Sequence, residues 1–386
     1  VSLMAADAAL LGDGNTTYLS MTGVAFVLPY LLLSGYAGAV ADRFSKRRVL
    51  LAGKLAEIAV MMMGFAALLY ASIDMLLAVL FLLAIQATFF SPAKYGIVPE
   101  LLPETQLSRA NGLLEMSRYV AIILGTAGGG LLMALWAGSP AMIGGALLIV
   151  AAGGALACLA IADTQQPGDL RPITLNPAVE AIRALRLLST DRVLACAVGG
   201  ITCFDFVASL VMLDMLLVGK SILGLDNMRI GLLGGVVAFG AAGGSLLAGR
   251  LSIGRIEPSL ALLGAVGIAL ALLAFGAAMP SLAIATVAFA VLGVCGGLVI
   301  VPLNALVQFR APAANRGQII AANNLLNMAG VLAASGWLWA LNDLCGVPPL
   351  VILFLVGAFV AAVAASAAVL LPHVLIRGIR IVSGAA

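Results

Sequence analysis

Long runs of hydrophobic residues, separated by short polar stretches, extend over almost the whole chain. Eleven of these runs are long enough to cross a bilayer as a helix, which needs about 20 mostly apolar residues. They fall at roughly 17–41, 49–72, 74–95, 111–136, 140–162, 192–219, 228–250, 257–279, 281–305, 317–340 and 348–371. Residues 1–12 are too short to span, and we interpret them as the end of a further helix that begins outside this chain. The pattern predicts an all-α membrane protein of twelve helices, the first of them largely missing here.

Composition agrees with this prediction and excludes several classes of protein. Hydrophobic residues make up 63% of the chain and charged residues 10%, and the mean hydropathy is +1.17. The five cysteines are scattered singly and His373 is the only histidine, so no disulfide framework, metal-ligand spacing or Ser/His catalytic centre is predicted. No phosphate-binding glycine motif or other cofactor signature is present in the sequence. We therefore expect neither a cofactor nor an enzymatic activity.

The charged residues predict the orientation of the chain in the membrane, because cytoplasmic loops collect Lys and Arg. If residues 42–49, "DRFSKRRV", are cytoplasmic and the helices alternate, all basic residues except Lys220 and Arg229 fall on or near the cytoplasmic side. The net charge of +3 is then a topology signal and does not indicate nucleic-acid binding.

The longest polar stretch marks the middle of the protein. It predicts an N-terminal transmembrane half at 1–162, a cytoplasmic linker at 163–191, a C-terminal transmembrane half at 192–371 and a cytoplasmic tail at 372–386. Within the linker, apolar and basic positions alternate at helical spacing, which predicts a short amphipathic helix at the membrane surface.

The two halves contain similar strings. Residues 41–48, "ADRFSKRR", match 248–255, "AGRLSIGR", and residues 110–116, "ANGLLEM", match 322–328, "ANNLLNM". The offsets, 207 and 212, are nearly equal. Two matches at nearly one offset predict two related six-helix halves, the architecture of transporters built from parallel repeats.

The segment "GYAGAVADRFSKRRV" at 35–49 resembles the signature between the second and third helices of the major facilitator superfamily. In this interpretation a glycine allows close helix packing, an aspartate caps or pairs at a helix end, and arginines form a cytoplasmic electrostatic latch. The predicted gating residues are Gly38, Asp42, Arg43, Arg47 and Arg48.

Two further segments, "SPAKYGIVPELLPETQLSRANGLLE" at 91–115 and "VPLNALVQ" at 301–308, resemble the lysophospholipid transporter family, a branch of that superfamily. The resemblance extends over nearly the whole chain. It implies a flippase of the bacterial cytoplasmic membrane that moves lysophospholipids from the outer to the inner leaflet by alternating access. It also implies a cytoplasmic acyltransferase and acyl-carrier-protein synthetase, fused or separate, as partners besides the membrane lipids. In the tail, which resembles the junction to such a fused domain, Gly378 stands where acyltransferases have an Asp after their His, so no acyl transfer is assigned to this chain.

The charged and amide residues of the predicted spans are the candidate substrate-binding residues. Lys94 suits a phosphate, or else it is a snorkelling lysine at a helix end, and Pro92 with Gly96 predicts a loosened helix around it. Glu115 and Arg118 are three residues apart and are expected to pair. Asp205 and Asp214 are nine residues apart on one helix, so they point in different directions. The remaining candidates are amides that bond either neighbouring helices or a headgroup: Asn304, Asn323, Asn324 and Asn327.

Two other functions remain open at this level. A proton-coupled exporter of amphipathic drugs has the same fold and would use an intramembrane acid such as Asp205 as proton carrier. A non-transporting membrane module of an acyltransferase belongs to a different class.

Overall fold

The helices follow the hydrophobic pattern, because every backbone group inside a bilayer has to be hydrogen-bonded within the segment. The computed structural model describes residues 15–136, 139–163, 174, 176–252, 254–278 and 281–370. Its α-helices are α1 (Asn15–Arg43), α2 (Lys46–Leu69), α3 (Ile73–Gly96), α4 (Val98–Leu101), α5 (Glu104–Trp136), α6 (Pro140–Leu159), α7 (Pro177–Leu188), α8 (Arg192–Leu217), α9 (Asn227–Leu251), α10 (Ser259–Ala277), α11 (Leu282–Arg310), α12 (Arg316–Trp339) and α13 (Pro349–Leu370).

Eleven of these helices are long and apolar enough to cross a membrane, in the part of the chain that the structure describes. They are all except α4 and α7. The predicted all-α, multi-pass architecture is therefore confirmed. The helix remnant at 1–12 and the tail at 372–386 lie outside the described residues.

Two short π-helical segments continue α8 and α12, at Val218–Ile222 and Ala340–Leu344. The helix predicted in the linker is α7, which begins after an Asn176 cap whose side chain accepts a hydrogen bond from the amide of Ala178. Glu180, Ala184 and Leu188 on one face of α7 are buried, and α7 packs against α1.

Contacts divide the chain into two compact units. The first unit comprises Val1–Leu101, Gly128–Arg192 and Ala311–Met328, and the second comprises Leu102–Ala127, Val193–Arg310 and Ala329–Ala386. Within the first unit α1 packs on α3 and α2 packs on α3 and α6; within the second, α9 packs on α11 and α10 packs on α11 and α13. The beginning of α12 thus belongs to the first unit and most of α5 to the second.

The expected loosening around Lys94 is wrong, since α3 remains helical through Pro92 as far as Gly96. Pro92 and Ala93 are buried, and the amide of Ile97 donates to the carbonyl of Ala93 at 3.0 Å. Burial of Pro92 and Ala93 and the following backbone hydrogen bond therefore maintain the helix despite the donor that proline lacks.

Candidate functional site

A buried carboxylate lies at the centre of a polar cluster in the second unit. Glu115 on α5 is 1% exposed, and its Oε2 lies 2.9 Å from Nε of Arg118. Its Oε1 accepts a hydrogen bond of 3.3 Å from Nδ2 of Asn304 on α11. Arg118, which is 40% exposed, also donates to the hydroxyl of Tyr119 at 3.0 Å. The predicted Glu115–Arg118 pair exists, and it is joined to a second helix through Asn304.

A second polar rung lies one helical turn away on the same two helices. Asn111 and Gln308 exchange two amide hydrogen bonds, of 2.8 and 2.9 Å, and both side chains are buried. Because Asn111 precedes Glu115 by four residues and Gln308 follows Asn304 by four, the two rungs stack along the contact between α5 and α11. Sequence reasoning missed this pair, although its amides lie in the quoted motifs, because nothing in the sequence shows that residues so far apart meet.

The two aspartates of α8 have different surroundings. Asp205 interacts electrostatically with Arg118 and Glu115, so it belongs to the polar cluster. Asp214 is 0% exposed, and neither carboxylate oxygen has a hydrogen-bond partner among the described residues. The structure therefore brings Asp205 to the cluster but does not bring Asp214 there.

The first unit contains a smaller polar group between α3 and the beginning of α12. Nδ2 of Asn324 donates to the hydroxyl of Ser91 at 2.8 Å. Lys94 lies three residues after Ser91 on the same side of α3, and its Nζ is 5.1 Å from the centroid of the Tyr95 ring. Asn323 is 6% exposed, and its Oδ1 has no hydrogen-bond partner among the described residues. The fourth amide candidate, Asn327, lies one turn beyond Asn324 on α12.

The predicted latch residues lie at the end of α1 and the start of α2. Asp42 is buried and caps α12: its Oδ2 accepts a hydrogen bond of 2.9 Å from the amide of Gln318, and its Oδ1 accepts one from the amide of Gly317. A carboxylate at a helix N-terminus satisfies free amides and is favoured by the helix dipole. Gly38 is needed for this approach, since a Cβ there would lie 2.7 Å from Cβ of Ala321.

Further charges, which sequence reasoning did not single out, surround this cap. Lys46, which is fully buried, forms an ion pair with Glu100. Arg316, the first residue of α12, interacts electrostatically with Glu100 and Asp42. Of the predicted arginines, Arg47 donates to the carbonyl of Leu159 at 3.1 Å; Arg43, 6.0 Å from the Phe44 ring centroid, and Arg48 are exposed.

A further ion pair, within α2, was not predicted from the sequence. Nζ of Lys54 lies 2.8 Å from Oε2 of Glu57, which also accepts a hydrogen bond of 3.2 Å from Gln86 on α3. The three-residue spacing of Lys54 and Glu57 was the available signal. Over the described residues, no group of three or more His, Cys, Asp and Glu side chains could hold a metal ion.

Comparison with known proteins agrees with this architecture. The Major Facilitator Superfamily profile matches residues 8–335. Among solved structures, the human organic anion transporter MFSD10 superposes with a TM-score of 0.72 at 17% identity, covering 88% of this chain and 83% of that one. The fucose:proton symporter FucP of E. coli superposes with a TM-score of 0.70 at 15% identity, covering 90% of each chain. The fold is that of a major facilitator transporter.

Sequence relatives narrow the family. The lysophospholipid transporter LplT of Yersinia enterocolitica is 31% identical over 340 residues, which are 84% of this chain and 78% of the relative. LplT of Yersinia pestis is 31% identical over 337 residues, with the same coverage. The chain belongs to the Major Facilitator Superfamily and, within it, to the family of LplT-like transporters.

Proposed function

We propose that the protein moves lysophospholipids from the outer to the inner leaflet of the bacterial cytoplasmic membrane by alternating access, and so supplies an acyltransferase that restores the missing chain. The observation that carries this proposal is the 31% identity, over 84% of the chain, to transporters named for lysophospholipids. The arrangement of charges in the spans supports it independently.

A lysophospholipid has one acyl chain, an anionic phosphate and a polar headgroup. Its phosphate requires a cation that is accessible from a polar path but lies within the span, and burial of a lone cation in lipid is costly. Arg118 fits this requirement in the second unit, because it is 40% exposed while its partner Glu115 is buried. Lys94 fits it in the first unit, because it is partly exposed and lies one helical turn after Ser91, whose hydroxyl accepts a hydrogen bond from Asn324.

Lys94 gives the sharper test, since Arg118 also holds a buried carboxylate in place. Loss of a charge-assisted hydrogen bond to phosphate removes about 1.5–3 kcal/mol, which is about 10- to 150-fold in kcat/KM. We expect Lys94→Ala to lose lysophosphatidylethanolamine uptake by about this factor at normal abundance in the membrane, and Lys94→Arg to retain most of it.

The matched control is Lys220→Ala, which removes the same charge from an exposed position in the segment after α8. Uptake is measured in right-side-out and inside-out membrane vesicles, so that direction is read in the same experiment. Full uptake by Lys94→Ala would exclude a phosphate-binding role for Lys94. Transport outward of amphipathic drugs, without inward movement of lysophospholipid, would replace the proposed function with that of an exporter.

A further inference from the structure

Asp214 is a buried acidic side chain without a hydrogen-bond partner among the described residues. It is 0% exposed, and both carboxylate oxygens lack a hydrogen-bond partner among the described residues. Apolar residues that pack into one buried cluster surround its position along α8, among them Leu210, Val211 and Met215. An ionised carboxylate in such surroundings would be an uncompensated buried charge, which is strongly unfavourable.

No cation of the elements packed against α8 is hydrogen-bonded to Asp214 in the part of the chain that the structure describes. Three side chains of α8 contact neighbouring helices. Phe204 lies against Gly296 of α11, and Met215 lies against Gly234 of α9. The ring of Phe206 lies 6.3 Å, between centroids, from that of Phe359 on α13. The described part of α13 and residues 329–339 of α12 contain no charged residue. The titratable and charged residues of the other neighbouring segments, α5 and α8 included, are Glu104, Arg109, Glu115, Arg118, Tyr119, Arg192, Cys196, Cys203, Asp205, Lys220, Arg229, Arg250, Cys295, Arg310 and Asp343.

None of these groups donates a hydrogen bond to the carboxylate of Asp214. Both oxygens of Asp214 are without a hydrogen-bond partner among the described residues, whereas Asp205, on the same helix, interacts with Arg118 and Glu115 on α5. The two aspartates therefore differ in kind. Asp205 is part of an ionic cluster, and Asp214 is compatible with its surroundings only as a neutral acid.

We propose that Asp214 is a proton-binding site, protonated in the conformation described here and deprotonated in another conformation of the transport cycle. The step is the reversible binding of one proton to the carboxylate, with no other bond made or broken. Asp214 lies eight residues before Ile222, the end of the helical span, which is about 12 Å of helix. The π-helical segment that begins at Val218 lies between them, and such segments often mark functional sites in helices.

The protonation state is tested without any substrate, by infrared spectroscopy of the purified protein in lipid at pH 7. We expect wild type to show a C=O stretching band of a protonated carboxylic acid that Asp214→Asn lacks. Asp343→Asn, which removes an exposed acid from the same unit, should leave the band unchanged. Identical spectra of wild type and Asp214→Asn would overturn the proposal.

Coupling of proton binding at Asp214 to transport rests on the proposed function. It is tested with lysophosphatidylethanolamine in proteoliposomes. With one coupled proton, a gradient of about one pH unit supports up to about a tenfold change in the accumulation ratio. Wild type should respond to the gradient, and Asp214→Asn should exchange lipid without responding. An equal response of both proteins, or none in wild type that still transports, would exclude coupling through Asp214.

Absence of transport in every variant would count against the proposed function and not against proton binding, because the infrared measurement needs no transport. If Asp214→Asn does not fold, Asp214→Leu replaces it, since a neutral apolar side chain of similar volume suits the same cluster. A folded Leu variant that keeps the band and the pH response would also contradict the proposal.

Discussion

Replacement of Arg118 by alanine probes the polar cluster most sharply, because the arginine is accessible and its partner is not. The substitution removes the guanidinium whose Nε lies 2.9 Å from Oε2 of Glu115. Breaking a buried ion pair by removing one partner costs about 3–5 kcal/mol, since a charge remains buried. We expect about 3 kcal/mol here, at the lower end, because the Arg118 side chain is 40% exposed and retains part of its hydration.

The matched variants separate the buried charge from the loss of contacts. Glu115→Gln removes the charge and keeps an oxygen that can accept from Asn304, so it should cost only about 1 kcal/mol. The double variant, which combines Arg118→Ala with Glu115→Gln, contains no unpaired carboxylate at this site. It should be more stable than Arg118→Ala alone by about 1–2 kcal/mol. Arg109→Ala, at an exposed position on the same helix, should change stability by less than about 0.5 kcal/mol.

The assay is reversible unfolding in mixed micelles, followed by circular dichroism and tryptophan fluorescence, with wild type and the four variants compared under one condition. A cost below about 1 kcal/mol for Arg118→Ala would refute the reasoning. Strict additivity of the two single substitutions would refute it as well, because it would mean that Glu115 and Arg118 do not interact in the folded protein.

Further tests concern the latch, the amide rung and the topology. Asp42→Asn should insert and fold with a loss of only about 0.3–1 kcal/mol, since asparagine also caps helices but lacks the charge; transport should slow, and unchanged rates in both directions would remove its gating role. Gly38→Leu should separate α1 from α12 and lower the free energy of unfolding by about 1–3 kcal/mol or more, read by thermal denaturation, whereas Gly23→Leu, where an added Cβ would meet no atom within 4 Å, should not. Asn111→Leu should cost about 1–3 kcal/mol because it leaves the Gln308 amide unsatisfied, and Gln308→Leu in the same background should recover part of the loss. In a cysteine-free background, Ser189→Cys should be protected from an impermeant thiol reagent added outside and Asp343→Cys should react; the reverse pattern would invert the predicted orientation.

Local features of the fold and site could be predicted from the sequence, and non-local ones could not. The spans follow from hydropathy because the bilayer allows only segments that satisfy their own backbone groups. The Glu115–Arg118 pair follows from a spacing of three residues on one helix. The end of α3 was predicted wrongly, since the missing donor of Pro92 weighed less than the packing around it.

Partners from distant parts of the chain explain what the sequence did not reveal. The chemistry of Asp42 suggested a helix cap, but the capped helix begins 274 residues later in the chain, at Arg316. Asn304 was an open alternative between helix contact and headgroup contact, and only the structure shows its bond to Glu115. Asp205 and Asp214 were both candidate substrate-binding residues, with Asp205 as the example of a proton carrier in an exporter, and only the structure shows how their surroundings differ.

The most direct test of the central claim is the movement of labelled lysophosphatidylethanolamine across liposomes that contain only the purified protein, measured by extraction of outer-leaflet lipid with albumin. The account predicts that this lysophospholipid becomes protected from extraction faster than in protein-free liposomes. The rate of protection should saturate as the lysophospholipid concentration increases. A diacyl phosphatidylethanolamine should show no such acceleration. Equal protection with and without protein, in liposomes where the protein is folded, would contradict the claim that this chain transports lysophospholipids.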